Sequence, residues 1–583
     1  MSWIFGFYSK NSFDPKYISE LHPQPIATVT SSKYYIAIGG NNHTLFYEKA
    51  DPFINYFFCG LPISNSATRF LDKNDLSRIV NDKPEELKSL NGHFCGVLTT
   101  NSSITLFTDQ LGLREFHIYE NDNGWYFSSR LDFILKLENF EIDFNEFGSR
   151  WLLINQLSNK SIIKNIRRLN CGAKAIINHN QLEFIENNWL PSKGKTISTN
   201  DFNNKLKNLT LLGSCNNSKI SLSLSGGMDS RVILSLLLNS DYANWDCHTF
   251  QTEDKMDINI AEKILSDLKI QYKLFSDNND RQNNIIPELF DYIGSTYLTE
   301  SSFNSRKLMH YKSLPQNEII IDGGFGEIWR REFLNRLYYL GKKDLENKNY
   351  ENISKYLINH RANIFSEECN SLMQRGIVDQ IEKLVAYLPS IKEIGLGNWL
   401  DLFSLKTRLV NYYAPEQARI DNFVTAYMPY VQFIIVKDLL NLPIEKRKNN
   451  RLFKSIIQLN YRKLSKYRLA KGNMSYPFYF TPLMKRASSL IQSKFNKNNE
   501  WGELDSFLNK MKEFTMDSLL SNSTRKYASY EYDRIYKNVN SYYNGEKDKN
   551  QFVDWFLTFE IFRQIMESKH NSLLNATAPS LKG

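Results

Sequence analysis

The apolar positions along this chain follow two rhythms. Up to Leu190 they come in short runs bounded by Gly, Asn and Asp. Lys33–Gly39, Ile104–Thr108, Gly124–Ser129, Ala173–Ile177 and Leu182–Ile185 have the composition and length of strands. His179-Asn180 suits a hairpin turn between the last two. The polar stretch Pro191–Asn200 breaks the pattern and reads as a linker. Beyond it, strands alternate with helical stripes. Ile220, Leu222 and Leu224 alternate with serines, and Val232–Leu238 is long enough for a packed helix. Trp245–Phe250 and Ile270–Phe275 predict two more strands, with Ala261, Ile264, Leu265 and Leu268 on one helical face between them. Ile319–Ile321 is a short buried strand, Asn398–Leu409 a core helix. Phe552–Met566 is a helix whose broad apolar face is core or docking surface. The expected fold is α+β, a layered β domain over residues 1–192, followed by α/β with a parallel sheet and helical additions over 200–583. Ligands of such a sheet bind at the carboxyl ends of its strands.

The most informative stretch is Ser225-Gly226-Gly227-Met228-Asp229-Ser230, between the first strand and first helix of the second region. Glycines let a backbone approach a phosphate, and a helix N-terminus favours negative charge. Ser225 and Ser230 can add hydroxyl donors. Asp229 is anomalous, because a carboxylate beside phosphates is repulsive unless a cation lies between them. Mg2+ is the simplest cation for that place.

Composition narrows the setting. Apolar residues make up 42% and charged residues 23%, as in globular proteins, and 583 residues predict at least two domains. The net charge of +9 is diffuse, with no basic arm for nucleic acid. Arg330-Arg331 and Lys446-Arg447-Lys448 read as solvated faces. Six cysteines without metal-ligand spacing predict buried thiols in a reducing cytosol. Neither a signal peptide nor a membrane span is expected, so the reading is cytoplasmic.

Ser-Gly-Gly-Met-Asp-Ser resembles the pyrophosphate loop of the ATP pyrophosphatases, which split ATP into AMP and pyrophosphate. Asn91–Leu98, Thr108–Arg114, Tyr119, Trp125–Ser129, Ile166–Gly172 and Trp189 resemble, in order and spacing, the N-terminal domain of class B asparagine synthetases. That resemblance implies an Ntn-type glutaminase-like domain before the ATP domain. Glu318–Trp329 is similar to the family's AMP-contacting loop, Arg419–Val431 to its following landmark, and Arg468–Asn473 to its lysine-bearing segment. It implies ATP and Mg2+ as cofactors and nucleotide contacts from Leu224, Ser225, Gly226, Gly227, Asp229, Ser230, Phe250, Gly323 and Gly324. Asp229 and Glu327 would hold the metal, and Lys471, Glu327 and Asp322 would serve catalysis.

The chain departs from the family at defined positions. Ser2 stands where the family has its nucleophilic cysteine, and a hydroxyl is far poorer near neutral pH. The N-terminal domain is therefore expected to be an inactive scaffold. Gly323 and Gly326 replace two acidic residues, and Gln432 replaces an aspartate. The resemblance implies a ligase that adenylates a carboxylate and passes it to an amine carried by a small molecule or peptide. The alternative is a nucleotide-binding scaffold whose catalysis has decayed. Neither nucleic acid nor membrane is an expected partner.

Overall fold

The computed structural model describes residues 2–11, 13–51, 54–100, 103–178, 181–187, 189–251, 255–275, 285–315, 317–359, 361–471, 474–480, 484 and 502–567. The expected turn at His179-Asn180 lies outside the described residues. Among the described residues the N-terminal region has twelve strands: Trp3–Ser9 (β1), Ala27–Thr30 (β2), Tyr34–Gly39 (β3), Leu45–Asp51 (β4), Ile54–Ile63 (β5), Asn91–Thr99 (β6), Ser103–Thr108 (β7), Phe116–Asn121 (β8), Gly124–Ser128 (β9), Ile166–Leu169 (β10), Lys174–Asn178 (β11) and Gln181–Ile185 (β12). They form two antiparallel sheets, ordered β10-β8-β9-β1-β3-β2 and β12-β11-β7-β6-β5-β4.

β1 explains the layering. Ile4 and Tyr8 join Ile36, Phe57, Val97, Leu106 and Phe127 in a core between the two sheets. Trp3, Phe5 and Phe7, on the other face, enter a second core built largely by later helices. The long helix Asn550–Glu567 supplies Phe556, Phe559 and Phe562 to that core. Its apolar face is therefore core: Trp555 packs edge-on against Trp151 at 5.6 Å, and Phe559 meets Phe365 at 4.7 Å. Burying aromatic side chains of this size is the largest apolar contribution available to such a layer.

The second region has the five-stranded parallel sheet expected from the βα alternation. Its strands are Ile220–Ser223 (β13), Trp245–Phe250 (β14), Tyr272–Phe275 (β15), Ile319–Ile321 (β16) and Thr425–Tyr427 (β17), in the order β15-β14-β13-β16-β17. The chain adds β14 and β15 on one side of β13, then crosses back to place β16 on the other. The direction of winding reverses between β13 and β16, and the carboxyl ends of the strands at such a reversal are where open α/β sheets bind ligands. No helix among the described residues is long and apolar enough to cross a membrane. Of the six cysteines, Cys215 is exposed and the others are buried.

The helix expected over Asn398–Leu409 is present but changes pitch. Leu396–Ser404 is α-helical, and Leu405–Tyr413 continues as π-helix. Bonding of i to i+5 brings residues five apart onto one face, here Arg408 and Tyr413.

His248 sits inside β14, fully buried, with Nδ1 3.0 Å from the Ser221 hydroxyl. Burial pushes its pKa down to about 3. A depressed folded-state value means the neutral ring stabilises the fold above the unfolded value of about 6.5, and this stability is lost as pH falls towards 3. Asp109 and Asp322, both lifted to about 6 by burial, act with the opposite sign between about 3.8 and 6. Wild-type protein is expected to lose up to about 1.4 kcal/mol per pH unit below 6.5 through His248. Relative to wild type, His248→Gln should therefore gain up to about 1.4 kcal/mol per pH unit in urea unfolding as pH falls from 6.5 to 5, whatever the aspartates contribute to both proteins, and parallel pH profiles would exonerate the histidine.

Candidate active site

The sequence singled out the turn after β13, and the structure places it at the β13–β16 reversal. Leu224 is buried, and its N–H donates to the His248 carbonyl at 2.8 Å, extending the sheet by one residue. The Ser230 hydroxyl accepts from the Ser225 N–H at 3.1 Å and lies 3.0 Å from the Ser225 hydroxyl. The Ser225 hydroxyl also accepts from the Gly227 N–H at 3.2 Å. Both serines thus shape the turn, and the helix Asp229–Leu238 begins at once behind it. The first amides of a helix lack partners within it and favour an anion.

Arg231 fixes this turn to a distant segment. It is fully buried, and Nη2 donates to the carbonyls of Gly226 at 2.9 Å and Arg468 at 2.6 Å. Nη1 donates to the Tyr467 carbonyl at 2.9 Å. The Ala470 N–H also donates to the Gly226 carbonyl, at 3.0 Å. Burial pushes the Arg231 pKa down to about 10, which leaves it charged at neutral pH. The strand Leu469–Lys471 is thereby tied to the turn, although Lys471 itself is 62% exposed. Gly472 and Asn473 lie outside the described residues.

The facing loop follows β16. Asp322 Oδ1 accepts from the Gly324 N–H at 2.6 Å and so holds the loop's own bend. A Cβ on Gly323 would lie 2.8 Å from the Ser230 nitrogen, and one on Gly326 would lie 2.6 Å from Asp229 Cγ. Neither position admits a side chain while the two loops stand this close.

The expected metal ligands are otherwise engaged. Asp229 is held in a bidentate pair, with Arg330 Nε 2.6 Å from Oδ1 and Nη2 2.8 Å from Oδ2. Burial lifts the Asp229 carboxyl above its ordinary value, against the pull of Arg330. Glu327 accepts from Arg408 Nε at 2.9 Å and from the Tyr413 hydroxyl at 3.1 and 3.2 Å, the two donors that the π-helix aligns. Among the described residues no group of three or more His, Cys, Asp or Glu is arranged to hold a metal ion. The residues present do not fit a Mg2+ held by Asp229 and Glu327: each carboxylate already has its own guanidinium, Arg330 on Asp229 and Arg408 on Glu327. Arg330, read from the sequence as part of a solvated face, lies in the site with an 18% exposed side chain.

Two further features complete the edge. Phe250 stacks on Phe275 at 5.6 Å and meets Tyr311 at 5.4 Å, so it belongs to an aromatic cluster at the ends of β14 and β15. Glu332 accepts through one oxygen, Oε2, from Arg330 Nη1 and, at 3.4 Å, from Lys471 Nζ. Sequence reasoning missed Arg231, Arg330, Glu332, Arg408 and Tyr413. The one signal for Arg330 was the uncompensated charge of Asp229.

The N-terminal region offers no comparable chemistry at Ser2. That residue is fully buried, and its hydroxyl partners are the Asn41 carbonyl at 3.3 Å and the Thr44 hydroxyl, neither of them a base. Around it the two regions are stitched together. The Gly92 N–H donates to Gln432 Oε1 at 2.7 Å, the Ile434 N–H donates to Asn91 Oδ1 at 2.7 Å, and buried Asp421 pairs with His93 and Arg114.

No known family profile matches the chain, and neither does any curated protein. Among solved structures it is similar to the glutamine phosphoribosylpyrophosphate amidotransferase from B. subtilis complexed with ADP and GMP, at 11% identity over 58% of this chain and 79% of that one, with a TM-score of 0.23. A structure of the allosteric regulatory enzyme of purine biosynthesis matches at 10% identity over 58% and 78% of the two chains, with a TM-score of 0.22. Likenesses this loose define neither family nor function. The class is defined by the molecule itself: layered antiparallel sheets joined to a parallel α/β sheet with a serine- and glycine-lined turn at its switch point.

Proposed function

We propose that the chain is an ATP-dependent ligase that forms amides through an acyl-adenylate. A substrate carboxylate attacks the α-phosphorus of ATP and pyrophosphate leaves; an amine then displaces AMP from the acyl carbon. The observation that carries this reading is the position of Ser225–Ser230 at the carboxyl end of β13, facing the Asp322–Glu327 loop across the reversal point of the sheet. Backbone amides of the turn and helix start would receive the phosphates, with Ser225 and Ser230 fixing the turn. Lys471 at the mouth and Arg330 beside Asp229 would counter the charge that develops on the leaving pyrophosphate. Glu327, clamped by Arg408 and Tyr413, would hold the second loop in place, and Asp322 would do the same through Gly324.

A second reading, nucleotide binding without turnover, is favoured by the pairing of Asp229 with Arg330. The test is incubation of purified protein with ATP and a small-molecule extract, followed by mass spectrometry. AMP and pyrophosphate with a new amide support the ligase. Saturable ATP binding without AMP supports the second reading, and failure to bind ATP rejects both.

A further inference from the structure

The ion pairs of the site fall into two groups, Asp229, Glu332, Arg330 and Lys471 in one and Glu327 with Arg408 in the other. Their formal charges cancel, so an incoming triphosphate meets a neutral cluster and not a cationic basin. Within it Arg330 divides its donors. The Nε and Nη2 edge is committed to Asp229, while Nη1 reaches Glu332. Oε2 of Glu332 is shared by Arg330 and Lys471, the way a phosphate oxygen bridges two cations. Glu332 lies at the end of the loop that faces the turn, and its N–H donates to the Glu327 carbonyl at 3.0 Å. A divalent ion at Asp229 would have to displace a bidentate guanidinium and then lie beside it, two cations against one carboxylate.

We propose that this turn takes a nucleoside triphosphate without a divalent ion: Arg330 is the built-in cation, and Glu332 is the internal anion that the phosphates displace from Arg330 and Lys471. The inference rests on the nucleotide reading given above. Asp229 is then a positioning residue that holds Arg330 by one edge and leaves Nη1 for the ligand. Glu332 sets a threshold, because binding must break its contacts to Arg330 and Lys471 before new ones form. A ligand carrying more negative charge competes better for those cations, so free ATP should be preferred over its magnesium complex.

The test is calorimetric titration of the full chain with ATP, once in excess EDTA and once in excess MgCl2. Wild-type protein is expected to bind at least as tightly in EDTA. Glu332→Gln, which keeps the size of a part-buried side chain, should tighten metal-free binding about fivefold or more. Arg330→Gln should weaken it at least tenfold, with circular dichroism confirming that the variant folds. Lys471→Gln should cost less than Arg330→Gln, since that lysine is largely exposed. Binding of ATP by wild-type protein only when Mg2+ is present would overturn the inference and leave the nucleotide reading intact. No binding in either buffer would overturn both. Unchanged or weakened affinity in Glu332→Gln would remove the displaced-anion role.

Discussion

Asp421→Ala is expected to destabilise the protein by roughly 3–5 kcal/mol, the usual cost of leaving a buried charge without its partner. Asp421 is fully buried, its Oδ2 lies 2.8 Å from His93 Nε2, and it also pairs with Arg114. Burial opposes its charge, but His93 and Arg114 together hold its carboxyl below the ordinary range. Arg114 is itself buried, so the truncated protein would enclose a guanidinium that has lost its carboxylate. The residue follows the helix Ala414–Ile420, which continues the π-helical turn that bears Tyr413. Loss of Asp421 should therefore loosen the junction of the two regions and the support of Glu327 together. Denaturant unfolding measures the first effect. A change below about 1 kcal/mol, the range of an exposed pair, would mean that water reaches this seam.

Arg231→Met is expected to damage both stability and nucleotide binding. Three carbonyls, those of Gly226, Tyr467 and Arg468, lose a donor at once. The Gly226 carbonyl keeps its Ala470 donor and the other two are part-buried, so, with about 1–3 kcal/mol as the usual cost of an unsatisfied buried acceptor, a net loss of roughly 1–3 kcal/mol is expected. The turn would also lose its tie to the strand that carries Lys471, and ATP affinity should fall at least tenfold. Arg231→Lys should recover part of the stability but less of the affinity, because one ammonium cannot span the same three carbonyls. Thermal unfolding and ATP titration of the two variants check this. Normal ATP affinity in Arg231→Met would show that the turn keeps its shape unaided.

Periodicity made part of this fold legible. β7, β9, β11 and β12 are short and turn-bounded, and the parallel sheet follows from βα alternation. β1 and β5 were not legible because both faces of each are buried, which erases the period of two. Leu405–Tyr413 reads as ordinary helix, since an apolar stripe does not reveal a change from i+4 to i+5 bonding. At the site the serine- and glycine-lined turn was visible as a local motif, and Asp229 was legible as a carboxylate in need of a cation. Which cation could not be read, because Arg330 comes from another loop and reaches Asp229 across 101 positions of sequence. Local patterns specify a turn; they do not say which distant side chain will close it.

The sharing of one core between β1 and the helix Asn550–Glu567 has a consequence for how the chain is made. Phe556, Phe559 and Phe562, which help to cover Trp3, Phe5 and Phe7, are translated more than 500 residues after them. At a typical elongation rate of about 5–20 residues per second, that apolar sheet face waits tens of seconds for its cover. The N-terminal layer must be shielded by another part of the nascent chain or by a chaperone during that interval. Native packing of this core is thus a late event in the synthesis of each molecule, gated by the emergence of the helix Asn550–Glu567.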